Sequence, residues 1–277
     1  MNTMAAKARP EALRSAADKS EPMRPNPGPM RGRYQGVLQI LRFNWSMYAA
    51  TAGAMCAAAC AWPLLPARGQ TALLICAAPT LFWTIASLAV SHYVYDCSPL
   101  YDLSWLATAL KRAPRRWINI HAGWDETSGL LNAVFPGAVG EALDLFDRRV
   151  MTEASIRRAQ RWNRPAILTT PARYDTLPLE TCTVDTAFLI FAAHELRRPE
   201  QRVKLFAEIA RVIKPGGECV LVEHLRSGWN FLAFGPGFLH FFSRREWLRV
   251  ARQAGFDVRS EIELTRLVRG FVLRRVR

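Results

Sequence analysis

The sequence predicts an α/β domain, a parallel sheet wrapped by helices, preceded by two helices of membrane-crossing length. Three observations predict it. Residues 43–67 and 69–95 contain no Asp, Glu, Lys or Arg, and each run is long enough to cross a hydrocarbon core as helix. From Trp117 onward, apolar stretches of strand length alternate with longer helical patterns, as in a chain that shuttles between a sheet and its flanking helices. Late in the chain an amphipathic stretch ends in Lys214-Pro215-Gly216-Gly217 and runs into an apolar strand, because Pro stops a helix and Gly tolerates a tight return.

Residues 1–43 read as a disordered basic tail on the cytoplasmic side. To about residue 33 it mixes Ala, Pro, Gly, Lys and Arg without an apolar period, and Pro25, Pro27 and Pro29 alternate with polar or small residues, a composition that cannot bury a core. No apolar region follows the first basic residues in the manner of a secretory signal. Residues 44–97 form a helical hairpin turning at Pro66, Ala67, Arg68 and Gly69. A buried soluble helix pair would keep a polar face, and these runs lack one. Trp45 and Tyr48 at one end, Trp62 beside the turn, and Tyr93 and Tyr95 at the other stand where interfacial aromatics are expected. Pro79 marks a possible kink. Eight Lys and Arg precede the first span and only Arg68 separates the two, so the positive-inside tendency places both termini and the following domain in the cytoplasm, at an inner membrane.

Residues 98–116 pair an apolar run at Trp105 and Leu106 with Lys111, Arg112, Arg115 and Arg116. They read either as an amphipathic connector lying on anionic headgroups or as a solvated linker. In residues 117–277 strands are expected at 117–121, 139–145, 166–169, 185–192 and 218–224, with an antiparallel edge pair at 256–263 and 267–275. Helices are expected near 126–134, 152–162, 199–213 and 243–254.

A net charge of +14 and a pI near 10.2 would suit nucleic acid or a membrane surface. The bases are scattered and no aromatic-interleaved stripe accompanies them, which favours a lipid bilayer as partner and argues against nucleic acid. The six cysteines lie inside the apolar runs (Cys56, Cys60, Cys76) or stand isolated (Cys97, Cys182, Cys219), so neither a zinc site nor a disulfide framework is expected. Oligomeric state leaves no sequence trace.

The run Phe206 to His224, FAEIARVIKPGGECVLVEH, with Leu177-Pro178-Leu179 and Val184-Asp185-Thr186-Ala187-Phe188-Leu189-Ile190 upstream, resembles the back half of class I S-adenosylmethionine-dependent methyltransferases. The similarity is greatest to the type 11 branch that includes quinone-biosynthesis enzymes. The resemblance implies a Rossmann-like seven-stranded sheet of five parallel strands plus an antiparallel edge pair, with S-adenosylmethionine as cofactor. It implies cofactor contacts in the first loop, at Asn119, His121, Gly123, Asp125 and Glu126. It also implies a ribose-binding carboxylate, Asp144 or failing that Asp147, and an adenine-side loop near Asp175 and Leu177. The first loop departs from the family, since Asn119, His121 and Asp125 stand where an acid and two glycines are usual. Three readings follow: a divergent working site, a loop for another cofactor, or a fold that has lost catalysis.

His194 falls after the fourth strand and Glu223-His224 end the fifth, where ligands bind in parallel sheets. His194, His224 and His240 are candidate bases if the acceptor must lose a proton, with Glu223 as orienter. The aromatic stretch 230–242 suits a lid over a flat or greasy acceptor. The expected activity is methyl transfer to a small hydrophobic or lipid-soluble acceptor of quinone, phenolic-lipid or polyene type. The alternative is a non-catalytic membrane-anchored binding module. A nicotinamide dehydrogenase is disfavoured, because no G-x-G-x-x-G follows the first strand.

Overall fold

The computed structural model describes residues 31–276; residues 1–30 of the tail assigned to 1–43 lie outside them. The elements follow as α1 (Gln35–Phe43), α2 (Trp45–Ala61), α3 (Ala67–His92), α4 (Leu106–Ala109), β1 (Arg116–His121), α5 (Ser128–Val134), β2 (Val139–Asp144), α6 (Ala154–Trp162) and β3 (Thr169–Pro171). Then come β4 (Val184–Ile190), α7 (Pro199–Val212), β5 (Ile213–His224), α8 (Gly228–Phe234), α9 (Arg244–Gln253), β6 (Phe256–Glu263) and β7 (Val268–Arg275).

The sheet order is β3-β2-β1-β4-β5-β7-β6. Strands β3 to β5 pair in parallel, and β7 runs antiparallel to both β5 and β6. The direction of winding reverses between β1 and β4, so the crevice at their C-terminal ends is where a ligand is expected. The central strands are buried on both faces, as in Val184–Ile190, which is why they read as unbroken apolar runs rather than alternations. Local signals set the helix starts. Pro199 opens α7 with Glu200 in its first turn, and the Ser243 side chain accepts from the Glu246 amide at the start of α9.

Several expectations are corrected. Strand β3 lies at 169–171 instead of 166–169. Lys214 to Gly217 do not simply separate helix from strand: Ile213 already pairs with Val184, and the register shifts before Thr186 meets Glu218, so the Pro-Gly-Gly segment is a bulge within β5. The connector neither lies on headgroups nor floats as a linker. Its Leu100, Leu103, Trp105, Leu106 and Leu110 are buried in the core layer that covers one face of the sheet with Leu131, Phe188 and Val220. The opposite face is covered by α7 and α9 through Phe206, Ile209 and Trp247.

The last part of the tail is ordered as α1. Asp96, at the end of the turn that follows α3, accepts from the Gly36 and Val37 amides at 2.5 and 3.1 Å, satisfying donors a helix start leaves open. Gly36 is required by proximity, since a Cβ there would stand 2.3 Å from the Tyr95 Cβ. Gly36→Val is expected to cost about 1–3 kcal/mol and to expose the junction of α1 and α2 to limited proteolysis; an unchanged cleavage pattern would refute this packing role. Tyr95 is itself a correction, because its hydroxyl lies 2.9 Å from His224 Nε2 inside the domain and not at an interface.

Trp45–Leu64 and Ala67–Cys97 are long and apolar enough to cross a membrane. No residue of α2 is buried, and Leu64, Leu74, Ile75, Phe82 and Ile85 are exposed. Near its domain end α3 packs on α8, where Trp83 meets Phe231 edge to face at 5.6 Å.

Candidate active site

A cavity of about 510 Å³ opens at the C-terminal ends of β1 and β4, within the range of small-molecule sites. Its floor is His121, Ala122 and Trp124 after β1 and Ile190, Phe191 and Ala192 after β4. One wall is Ser155, Ile156 and Ala159 of α6, and another is Phe234, Gly237, His240 and Phe241 from the expected lid. The third wall comes from outside the α/β domain: Ile40 and Phe43 of α1, Met47, Tyr48 and Thr51 of α2, and Trp83, Ser87 and Ser91 of α3.

The first loop is closed by its own polar groups. Asn119 Nδ2 donates to Asp125 Oδ1 (3.2 Å), Thr127 Oγ1 (2.9 Å) and Ser128 Oγ (2.8 Å). Asp125 Oδ1 also accepts from the Thr127 and Ser128 amides, capping α5. Gly123 has φ +77°, and a Cβ on it would meet Phe146 and Gln160 at 3.1 and 3.2 Å. Phe146 and Gln160 therefore pack against Gly123. Asp144 Oδ1 accepts from the Gly123 and Phe146 amides at 2.7 and 2.9 Å, so only Oδ2 is left for a ribose hydroxyl. Glu126 lines the cavity but is engaged by Arg31 (3.2 Å) and by the Tyr101 hydroxyl (2.5 Å).

The remaining cofactor assignments fall elsewhere. Asp147 Oδ1 accepts from the Arg149 amide. Asp175 is held by Arg173 through both oxygens at 3.0 Å. Leu177 is a buried core residue whose amide donates to Glu208. None of these three lines the cavity.

Polar atoms awaiting a ligand do occur on the floor. Both ring nitrogens of buried His121 and the Trp124 indole nitrogen have no hydrogen-bond partner, although His121 Nδ1 lies 3.6 Å from Asp144 Oδ1, and Asp125 Oδ2 in the same loop has none either. Buried polar groups normally find partners, so a polar ligand at the end of β1 fits this chain. S-adenosylmethionine fits on these terms: His121 and Trp124 line the cavity and would meet it, while Asp144, which does not line the cavity, stands behind His121. Arg31 adds two buried guanidinium nitrogens without partners beside Glu126; its place in a basic tail offered no signal.

At the other end of the cavity, His194 Nδ1 lies 2.7 Å from Glu223 Oε2, and its Nε2 lies 3.4 Å from Glu195 Oε1. Burial alone would lower this imidazole, but Glu223 and Glu195 outweigh it and hold its pKa up at about 10. A ring held in its protonated form would donate rather than accept, which favours a donor over the expected base. His240 stands edge-on to His194 at 5.2 Å, with Nδ1 3.3 Å from Glu153 Oε1. His224 is removed from the chemistry. It is buried, stacked between Phe191 and Phe241 at 5.1 and 4.8 Å, and does not line the cavity. Phe191 takes φ +54° to reach that stack, a conformation bulky side chains rarely adopt.

Residues 143–221 match the family model described as "Methyltransferase domain". No curated protein matches the chain. Among solved structures, a methyltransferase from Aquifex aeolicus is 20% identical, covering 64% of this chain and 91% of its own, with a TM-score of 0.47. One from Methanosarcina mazei is 15% identical, covering 62% and 97%, with a TM-score of 0.47. Human N-acetylserotonin methyltransferase, solved with S-adenosylmethionine, is 14% identical, covering 88% and 71%, with a TM-score of 0.49. The match to the methyltransferase model thus falls within a seven-stranded α/β sheet that carries an antiparallel edge pair.

Proposed function

We propose that this chain is held in the inner membrane by Trp45–Leu64 and Ala67–Cys97, with its domain in the cytoplasm, and methylates a small lipid-soluble acceptor of quinone, phenolic-lipid or polyene type. The observation that carries the reading is the shared cavity, whose walls come from α1, α2 and α3 as well as from β1, β4 and the lid. An acceptor dissolved in the bilayer could move along the hairpin to His194 without crossing bulk water. The exposure of apolar residues along α2, none of them buried, and over the part of α3 away from α8 supports the anchor, since a soluble helix pair would bury one face.

When bound, S-adenosylmethionine supplies an electrophilic methyl group. The chain's part is alignment and exclusion of water. His121 and Trp124 would hold the cofactor end of the cavity, and Glu223 orients His194, which lines the end where the acceptor would sit. Trp83, Phe234 and Phe241 close the apolar side.

The test uses the full chain in lipid nanodiscs with methyl-labelled S-adenosylmethionine and lipid extract. Label is expected in the organic phase, and His194→Ala is expected to lower its transfer about 100-fold. Label confined to protein or aqueous products would refute the acceptor class. Alkaline carbonate washing should leave the chain with the membranes; release would refute the anchor. Asp144→Ala is expected to weaken cofactor binding about tenfold, and unchanged affinity by calorimetry would remove Asp144 from the site.

One observation favours a second reading, a membrane-anchored binding module without catalysis: Gly123 is covered by Phe146 and Gln160 while Asp144 Oδ1 is spent on the loop. Absence of any heat on titration with S-adenosylmethionine would favour that module over the enzyme.

A further inference from the structure

We propose that His194, His240 and Glu195 bind a divalent transition-metal ion at the hairpin-facing end of the cavity. One ligating atom from each residue lies within 4.8 Å of the others. The His194 Nε2 to Glu195 Oε1 separation of 3.4 Å already matches two ligands of a tetrahedral ion with bonds of about 2.1 Å.

A chance cluster would not explain how the rings are held. Metal-bound histidines characteristically give their other ring nitrogen to a carboxylate, which fixes the tautomer and aims the free nitrogen. Both rings here have that arrangement, from carboxylates outside the triad. Glu223 engages His194 Nδ1 at 2.7 Å and Glu153 engages His240 Nδ1 at 3.3 Å. Glu223 Oε1 also accepts from the Ala193 and His194 amides, so the ring and its backbone are set by one side chain. Arg197 joins the two ligand-bearing segments by donating to the main-chain oxygens of His194 and His240 at 3.1 and 2.6 Å. Its positive charge is directed at those carbonyls rather than left free.

Two imidazoles and one carboxylate suit manganese, iron(II) or zinc better than magnesium or calcium, which prefer all-oxygen shells. The use of the ion rests on the methyltransferase reading. A cation there lowers the pKa of an acceptor hydroxyl; as the methyl–sulfur bond breaks and the methyl–oxygen bond forms, that hydroxyl's proton leaves to solvent. The class of acceptor is then narrowed to phenols and related hydroxyl compounds.

The experiment is titration of the metal-stripped full chain in detergent with Mn²⁺, followed by electron paramagnetic resonance and by calorimetry. One Mn²⁺ per chain, displaced by Zn²⁺ but not by Mg²⁺, is expected. His240→Ala and Glu195→Gln should each weaken binding at least tenfold, and Glu223→Gln about 10- to 100-fold, with melting temperatures of the metal-free variants reporting that they fold. No saturable Mn²⁺ signal, or binding that survives His194→Ala combined with His240→Ala, would overturn the site. Because the readout is metal binding, loss of methyl transfer alone leaves this result standing, and cofactor binding by a chain that takes up no metal overturns only the metal site.

Discussion

Replacing Arg202 by Ala is expected to destabilise the domain by about 3–4 kcal/mol, lowering the melting temperature by about 10 °C. Arg202 is 1% exposed, an unusual place for a guanidinium. It is tolerated there because Nη1 donates to the Leu196 and Arg197 carbonyls at 2.7 and 3.0 Å, Nη2 pairs with Glu246, and the plane lies 3.8 Å over the Phe242 ring. Truncation strands two carbonyls and weakens the hold on Glu246, which keeps only Arg249. The consequence extends to the site, because Leu196 and Arg197 directly follow His194 and Glu195. Arg202→Met keeps volume but no donors, so it should recover part of the lost packing and none of the loop order. Thermal unfolding and hydrogen exchange at residues 193–198 report the two effects; a variant within about 1 kcal/mol of the parent would refute the account.

The second large effect is loss of stability in mild acid. Burial, and then the positive charge of facing His194, push the His224 pKa down to about 3, with His240 adding to the fall and hydrogen bonds from Asn230 and the Leu267 backbone opposing it. Tyr95, whose hydroxyl meets Nε2, completes the groups facing this ring. An unfolded histidine titrates near 6.5. The folded pKa is depressed, so His224 contributes its full effect above pH 6.5 and loses it as pH falls toward 3. Between pH 6.5 and 4.5 the loss amounts to about 2 kcal/mol. That window lies above the range in which most carboxylates titrate. His194 adds no slope there, because it is protonated in both folded and unfolded chains below pH 6.5. Denaturant midpoints at steps from pH 7.5 to 4.5 measure the effect, and His224→Gln should flatten the curve. A parent profile that is already flat would show that His224 is not held neutral.

The order of strands and helices was legible because it depends on local signals. Apolar runs of strand length, Pro199 at a helix start and the Pro-Gly-Gly segment act over a few residues. The C-terminal positions of His194 and Glu223 follow from the same order, since topology alone places strand ends together. Even the polar replacement of the first loop was visible, although its meaning was not. Asn119 and Asp125 turn out to bind each other and cap α5, a pairing that spacing by itself does not specify.

Contacts between distant segments were beyond such signals. The connector composition, Trp105 and Leu106 beside Lys111 and Arg112, is equally compatible with a membrane surface or a protein core, and only the uncovered sheet face beside β4 and β5 decided for the core. Nothing adjacent to Arg31 or Gly36 shows that they meet Glu126 and Tyr95 across the chain. The protonated state of His194 depends on Glu223 and Glu195 converging on one ring, and charge at a buried site is set by neighbours, not by residue type. Sequence alone determined a membrane-length hairpin joined to a methyltransferase-type sheet, because both are patterns of local hydrophobicity and turn chemistry. Tertiary structure alone decided that the two share one cavity, because that depends on α1, α2 and α3 packing over the ends of β1 and β4, contacts no local pattern specifies.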